Sequence, residues 1–219
     1  MRLFYATIKG AEYEKTTPSR MPASRRRLQR ALRAAVMPLA CLAAVALAFP
    51  AFAQTTYAIN PAKSQVQYSL KGFHDVVGHF AVTDGSITFD RSTGAMSGKV
   101  DVAAASGNSG EPARDKKMDK DQLKVKKFPT IVFAPTKFTG TLNKAGSSTV
   151  QVDGTFTLLG KAHAITVPMT VDINGTDCTA KGSFVIPYVQ WGVKDPSNFL
   201  LHMDKQVKID LAFDGTLSD

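Results

Sequence analysis

The sequence predicts an all-β protein, built as an antiparallel sandwich or barrel. Short segments in which apolar and polar residues alternate recur along the chain, with the period of two that is typical of strands. Turn residues separate these segments at short intervals. About eight strands arranged in this way favour an antiparallel sheet folded or closed on itself, because closure removes the exposed edges of a sheet.

The clearest alternation lies in residues 152–173, which predict a hairpin. Val152, Phe156 and Leu158 share one face, and after a turn at Gly160-Lys161 the apolar residues from Ile165 to Ile173 continue it. The last strand is equally clear, with four apolar residues on one face of residues 207–213. Further strands are predicted at 66–70, 86–90, 100–102, 131–133 and 184–188.

Turns and bulges are predicted from the residues that interrupt the alternation. Pro135 lacks a backbone N–H, so it marks a bulge or an edge within its strand. Turns are predicted at Asp84-Gly85, Ser92-Thr93-Gly94, Lys144-Ala145-Gly146, Asn174-Gly175 and Lys181-Gly182.

One charged segment, residues 109–129, departs from the strand pattern and predicts a short helix from Glu111 to Leu123. Pro112 suits the first turn of such a helix. Met118 and Leu123 would then lie against the mouth of a barrel. The segment also carries six lysines, which fit either contact with anionic lipid headgroups or a solvated helix face. The solvated face is favoured, because three aspartates lie among the lysines.

The first 53 residues predict a secretory signal peptide that is removed from the mature chain. Arginines are crowded before an apolar run at 34–49, and Ala51-Phe52-Ala53 fits the cleavage pattern. We therefore expect a secreted protein of residues 54–219, exported by the general or the twin-arginine route and starting at Met1 or Met21. The mature chain has 18 Lys and Arg against 16 Asp and Glu, which argues against a nucleic-acid partner.

The residues that usually carry chemistry are sparse, and no enzyme is predicted. His74 and His79 would point to opposite faces of a strand, so they do not predict a metal site. Nucleophile, phosphate-binding and dinucleotide motifs are missing from the sequence. Cys178, the one cysteine of the mature chain, is expected to be buried in a strand. A small barrel can fill its interior or keep room for one ligand, and the alternation allows both.

Several segments together resemble the YceI-like proteins, a family of lipocalin-like barrels that bind polyisoprenoid lipids. Residues 57–80 resemble the opening strand pair of the family, and 87–102 resemble its second hairpin. Residues 113–133 resemble its charged helix, followed by Phe128-Pro129 and a strand. GTFTLLGKAHAITVPMTV, residues 154–171, resembles its later hairpin. The likeness covers nearly all of the mature chain.

The resemblance implies a secreted, periplasmic protein that forms an up-and-down eight-stranded barrel with one short helix. The lumen of this barrel would take a polyisoprenoid or isoprenoid quinone. It implies binding or transport without catalysis or cofactor, and a homodimer. A filled barrel that acts as a stress-response or partner-binding module is the alternative, and an enzyme or redox partner is a third.

If the barrel binds a lipid, the alternation of apolar and polar residues predicts two groups of ligand contacts. The lipid tail would be lined by Tyr68, Phe80, Phe89, Val102, Phe133, Phe156, Leu158, Val167, Met169, Phe184, Ile186, Ile209 and Leu211. The mouth would be formed by Phe73, Met118, Leu123, Phe128 and Trp191. A shift of one residue would turn a strand inside out, so each assignment depends on the register.

Overall fold

The computed structural model describes residues 54–197, 199 and 202–219, and the predicted signal peptide lies outside these residues. The described part contains nine strands. They are β1 (Gln54–Ile59), β2 (Gln65–Gly72), β3 (Val76–Asp90), β4 (Met96–Ala103), β5 (Thr130–Thr139), β6 (Gly146–Leu158), β7 (Lys161–Asn174), β8 (Asp177–Ile186) and β9 (Met203–Ser218).

The strands form a closed antiparallel barrel with eight strand positions. Each strand from β2 to β9 pairs with the next along the chain, and β9 returns to pair with β2. Strands β1 and β2 both lie between β3 and β9, separated by a 3-10 turn at Pro61–Lys63, so together they fill one position. The up-and-down eight-stranded barrel is thereby confirmed, although the alternation of single residues had not predicted β1.

The predicted hairpin and bulge are confirmed. Strands β6 and β7 pair over their whole length, and Val152, Phe156 and Leu158 are all buried inside the barrel. The register between β5 and β6 shifts between Pro135 and Lys137, where the proline cannot donate a ladder hydrogen bond.

Two of the predicted turns, Asp84-Gly85 and Lys181-Gly182, are wrong. Strands β3 and β8 run through these positions without reversing. Both glycines are needed for space inside the barrel. A Cβ on Gly85 would lie 2.9 Å from Ile59 Cβ, and a Cβ on Gly182 would overlap Met169 Sδ. Glycine in a strand often marks such a close approach of another group.

The predicted helix between β4 and β5 is confirmed, with a change of helix type along its length. Helix α1 (Pro112–Lys117) continues into a π-helical turn at Met118–Gln122, closed by a 2.8 Å hydrogen bond from Leu123 N–H to the Met118 carbonyl. The wider turn brings Met118 and Leu123 to the same side, facing the barrel interior. Among the described residues, none of the helices has the length and hydropathy that crossing a membrane requires.

Candidate ligand-binding cavity

The barrel encloses a cavity of about 520 Å³ between the strands and helix α1. This volume lies within the range of about 300–1,000 Å³ that is usual for small-molecule sites. Every strand position except that of β7 contributes to the wall. The residues that line it are Val66, Tyr68, Leu70, Val76, Phe80, Val100, Val102, Ala113, Arg114, Lys117, Met118, Gln122, Leu123, Ile131, Phe133, Phe156, Leu158, Ile186, Tyr188, Val193, Pro196, Met203, Val207, Ile209, Leu211 and Phe213.

The two ends of the cavity differ in polarity. Arg114, Lys117 and Gln122, the charged and amide side chains of the wall, all come from the helical segment at one end. We call this end the mouth. Phe133 and Phe213 form the opposite end and also border a second, smaller cavity of about 70 Å³. A ligand with one polar end therefore fits with its apolar part directed away from the mouth.

A network around Asp115 fixes helix α1 to the preceding loop. The Asp115 carboxylate accepts hydrogen bonds from Ser109 N–H at 3.0 and 3.2 Å and from Ser109 Oγ at 2.5 Å. Arg114 Nε donates to Ser109 Oγ at 2.8 Å, and its guanidinium also donates to the Ser109 carbonyl at 2.9 Å. The helix is thus held by charge-assisted bonds rather than by burial, since all of its residues are at least partly exposed.

Gln122 is a buried polar residue at the mouth, and sequence reasoning did not identify it. Its side chain is only 9% exposed, and its Oε1 atom has no hydrogen-bond partner within the described residues. A buried amide without a partner is destabilising, by about 1–3 kcal/mol. The position directly before Leu123 at the end of a helix carried no signal of burial, because adjacent helical residues usually face different directions.

Two tyrosines add hydroxyl groups to the wall without adding charge. Burial raises the pKa of Tyr68, and burial raises the pKa of Tyr188 to about 12. The Tyr188 hydroxyl donates a 2.7 Å hydrogen bond to the Asp204 carbonyl, which ties the segment after β8 to the start of β9. Both phenols are therefore neutral at physiological pH, and the wall between the mouth and the deep end stays uncharged.

The structure brings eleven of the eighteen predicted contact residues together around the larger cavity. Their contact with a ligand stays a prediction. They are Tyr68, Phe80, Val102, Met118, Leu123, Phe133, Phe156, Leu158, Ile186, Ile209 and Leu211.

The other seven predicted residues do not line the larger cavity. Phe89 and Met169 border the smaller one. Phe73 is 64% exposed, and Val167 is fully buried in packed core, so neither faces a void. Phe128 borders neither cavity and lies against Gly160, where a Cβ would approach its ring to 2.8 Å. Phe184 and Trp191 pack behind a wall residue rather than on the cavity itself.

These last two aromatic residues belong to a cluster at the mouth end of β6 and β7. The Phe156 ring lies 5.7 Å from Phe184 and 6.0 Å from Trp191, measured between ring centroids. Trp191 stacks on His163 with centroids 4.0 Å apart and an interplanar angle of 6°. His163 Nε2 is buried and has no partner among the residues that the structure describes. Phe156 therefore connects the cavity wall to Trp191 through ring contacts.

Several wall residues were not predicted as contacts. Val66, Leu70 and Phe213 continue the alternation of predicted neighbours, so the period of two could have identified them. Pro196 and Met203 come from the segment between β8 and β9 and from its junction with β9, where no periodic signal exists.

Metal and thiol chemistry find no support in the described residues. No group of three His, Cys, Asp or Glu side chains there is close enough to hold a metal ion. Cys178 is 3% exposed, which confirms its predicted burial, and burial raises the pKa of its thiol to about 11. A thiol in this environment is poorly reactive.

A closed antiparallel barrel with an apolar lumen and a short helix at its mouth defines a lipocalin-like protein. The chain matches the YceI-like domain over residues 57–214, and it belongs to that family. Among curated proteins, none matches the sequence significantly.

Solved structures share the fold at low sequence identity. BcnA of Burkholderia cenocepacia is 23% identical, with a TM-score of 0.60 over 74% of this chain and 99% of its own. A polyisoprenoid binding domain from Saccharophagus degradans, implicated in plant cell wall breakdown, is 14% identical, with a TM-score of 0.58 over 73% of this chain and 98% of its own. The YCEI protein of Campylobacter jejuni is 16% identical, with a TM-score of 0.52 over 64% of this chain and 82% of its own.

Proposed function

We propose that this protein binds a long-chain polyisoprenoid lipid, of the quinone or polyprenyl type, in the larger cavity of its barrel. The observation that carries the proposal is an apolar cavity of about 520 Å³ inside the barrel of a YceI-like protein. The Saccharophagus degradans structure, described as a polyisoprenoid binding domain, has the same fold and supports this ligand class.

The physical basis of binding is transfer of the lipid tail from water into the lumen. Each buried methylene contributes about 0.8 kcal/mol, so a tail with several isoprene units gains enough to be held without any covalent step. The polar head would lie at the mouth near Arg114, Lys117 and Gln122, and the tail would reach toward Phe133 and Phe213. This orientation places each part of the ligand against groups of matching polarity.

The predicted leader extends the proposal to the periplasm. A processed chain of residues 54–219 would sequester the lipid there or carry it, with no catalysis and no cofactor. Such a carrier meets its ligand at a membrane surface, and the family resemblance adds a homodimer to the proposal. The alternative, a filled barrel that binds a protein partner, is disfavoured by the volume of the cavity.

The test is native mass spectrometry of the processed protein purified from the periplasm, before and after organic extraction. We expect an added mass that matches an isoprenoid lipid and disappears on extraction. A protein that carries no lipid, and stays bare after incubation with isoprenoid quinones and polyprenols, would overturn the proposal and favour the partner-binding alternative.

A further inference from the structure

The large hydrophobic side chains that the described residues expose all lie at the mouth end of the barrel. They are Phe73 at 64% exposure, Val77 at 48%, Val185 at 55% and Phe199 at 95%. Single exposed apolar residues are common on protein surfaces, but their restriction to one end of the molecule is not. We call these four residues the apolar rim.

Strand pairing fixes the relation of two rim residues. Val77 on β3 pairs with Ser69 on β2, Ser69 pairs with Lys208 on β9, and Lys208 pairs with Val185 on β8. The two valines therefore lie at one level on the outer wall. Phe73 lies in the turn between β2 and β3, where its N–H donates a 3.1 Å hydrogen bond to the His202 carbonyl. The rim thus continues from the outer wall onto the tip of the β2–β3 turn.

Charge is divided along the barrel in the same direction. The mouth end, taken as residues 71–77, 103–130, 158–163 and 185–208, carries 12 Lys and Arg against 7 Asp and Glu. The rest of residues 54–219 carries 6 Lys and Arg against 9 Asp and Glu. The mouth end is therefore basic, with an excess of five, and the opposite end is acidic, with a deficit of three.

The lysines of the helical segment are available for an external partner. In the part of the chain that the structure describes, ion pairs to carboxylates involve Lys71, Lys99 and Lys208. The Asp115 carboxylate accepts hydrogen bonds from Ser109 of the preceding loop and makes no ion pair with these lysines in the described part of the chain. The charges of this segment are therefore close in sequence but not joined in ion pairs within the described residues, and the solvated helix face stays a prediction.

We propose that the mouth end docks on an anionic lipid bilayer, with the apolar rim entering the headgroup region and the surrounding lysines contacting lipid phosphates. Aromatic and aliphatic tips combined with basic side chains are the composition that binds such interfaces. A bilayer is favoured over an acidic protein because the rim is spread over projecting turns and outer strands rather than gathered in a groove.

The docking geometry also connects with the cavity, whose polar wall residues Arg114 and Lys117 lie at the same end. A lipid that passes between a bilayer and the lumen would then avoid exposure of its tail to water. This step rests on the proposed function, whereas docking itself does not. The surface can bind vesicles even if the cavity takes a different ligand.

The experiment measures binding of the processed protein to vesicles by cosedimentation. Vesicles of phosphatidylcholine alone are compared with vesicles containing phosphatidylglycerol, at low and at high salt. We expect at least tenfold tighter binding to the anionic vesicles at low salt, and loss of this preference near 1 M salt, where screening shortens to about 3 Å.

Matched charge reversals separate a local surface from a net-charge effect. The double variant K120E/K126E changes exposed lysines at the mouth end, and K63E/K144E makes the same change in net charge at the opposite end. We expect the first pair to weaken anionic-vesicle binding at least tenfold and the second less than twofold. Equal losses of binding in the two double variants would overturn the proposal. So would a wild-type protein that does not bind anionic vesicles at low salt, and that result would favour a protein partner for this surface.

The variant Phe73→Ser tests the apolar rim and keeps the result distinct from the cavity. Phe73 lies outside the cavity wall, so we expect at least fivefold weaker vesicle binding with an unchanged lipid mass in native mass spectrometry. Wild-type vesicle affinity in this variant would overturn the role of the rim. If the wild-type protein carries no lipid but still binds anionic vesicles, the result would contradict the proposed lipid-binding function and leave the docking proposal intact.

Discussion

Val102 and Val167 are both buried valines of the barrel interior, but only one of them faces a void. Val102 is 7% exposed and lines the larger cavity, whereas Val167 is 0% exposed and lines neither cavity. Replacing each by phenylalanine adds the same atoms at both positions. The sequence pattern had treated the two as equivalent tail contacts, so this pair of variants tests what the structure adds.

The expected magnitudes differ because the added ring has space at only one site. At Val167 the ring must displace packed neighbours, and overpacking of this kind costs about 1–3 kcal/mol or more in free energy of unfolding. At Val102 the ring enters the cavity, so we expect a change in stability below about 1 kcal/mol. If the ring displaces about three methylenes of a lipid tail, binding weakens by about 2.4 kcal/mol, roughly 50-fold.

The assay uses Trp191, the single tryptophan of the sequence. Its ring contacts Phe156, which lines the cavity, so its fluorescence should respond when a short-chain isoprenoid quinone enters. Urea unfolding followed by circular dichroism gives the free energy of unfolding of each variant. We expect Val102→Phe to lose affinity and keep stability, and Val167→Phe to lose stability while its folded fraction keeps affinity.

The reverse pattern would refute the reasoning. If Val167→Phe remained stable and lost quinone binding, the void would lie against β7 and the cavity would be misplaced. If both variants unfolded alike, the interior would be filled core at both positions.

Three further predictions concern single residues. Gly78→Ala should cost about 1–3 kcal/mol in urea unfolding, because a Cβ there would lie 2.5 Å from the Tyr68 ring; wild-type stability would contradict this packing. Cys178 should resist alkylation at pH 8 in the folded protein and react in guanidinium, since burial raises the pKa of its thiol to about 11. Peptide mass mapping locates the label, and rapid labelling of the folded protein would contradict this prediction. Asp90→Ala should lower the melting temperature at pH 7, because hydrogen bonds, above all from the Ser92 hydroxyl, depress the Asp90 pKa. The folded pKa lies below the unfolded one, so this stabilisation is present above about pH 4 and fades as pH falls through the folded pKa; an equal deficit at pH 2 would contradict the assignment.

Much of the barrel follows from local pattern. The alternation over residues 152–173 fixed which side chains of β6 and β7 face inward, because the period of two is a property of the extended chain itself. The helix at 112–122 and the bulge at Pro135 are also local, since a missing N–H and a charged segment act wherever they occur. The eleven predicted residues around the cavity follow from the same alternation.

The errors fall where the outcome depends on contacts with a neighbouring strand. Gly85 and Gly182 carry turn signals in sequence, yet they lie in continuous strands, where Ile59 and Met169 occupy the space that a side chain would need. The residues next to each glycine in the sequence give no indication that Ile59 or Met169 will lie beside it.

The sequence by itself determined the strands, their inward faces, the helix and the family, because each depends on neighbours along the chain. Only the tertiary structure decided which inward residues border the void, that Gln122 is buried at its mouth, and that Phe73 points outward. Those outcomes depend on how the closed barrel sets distances between strands remote in sequence. A period of two carries no information on those distances. The sequence pattern therefore cannot distinguish Val102 from Val167, and only the closed barrel shows which of them faces a cavity.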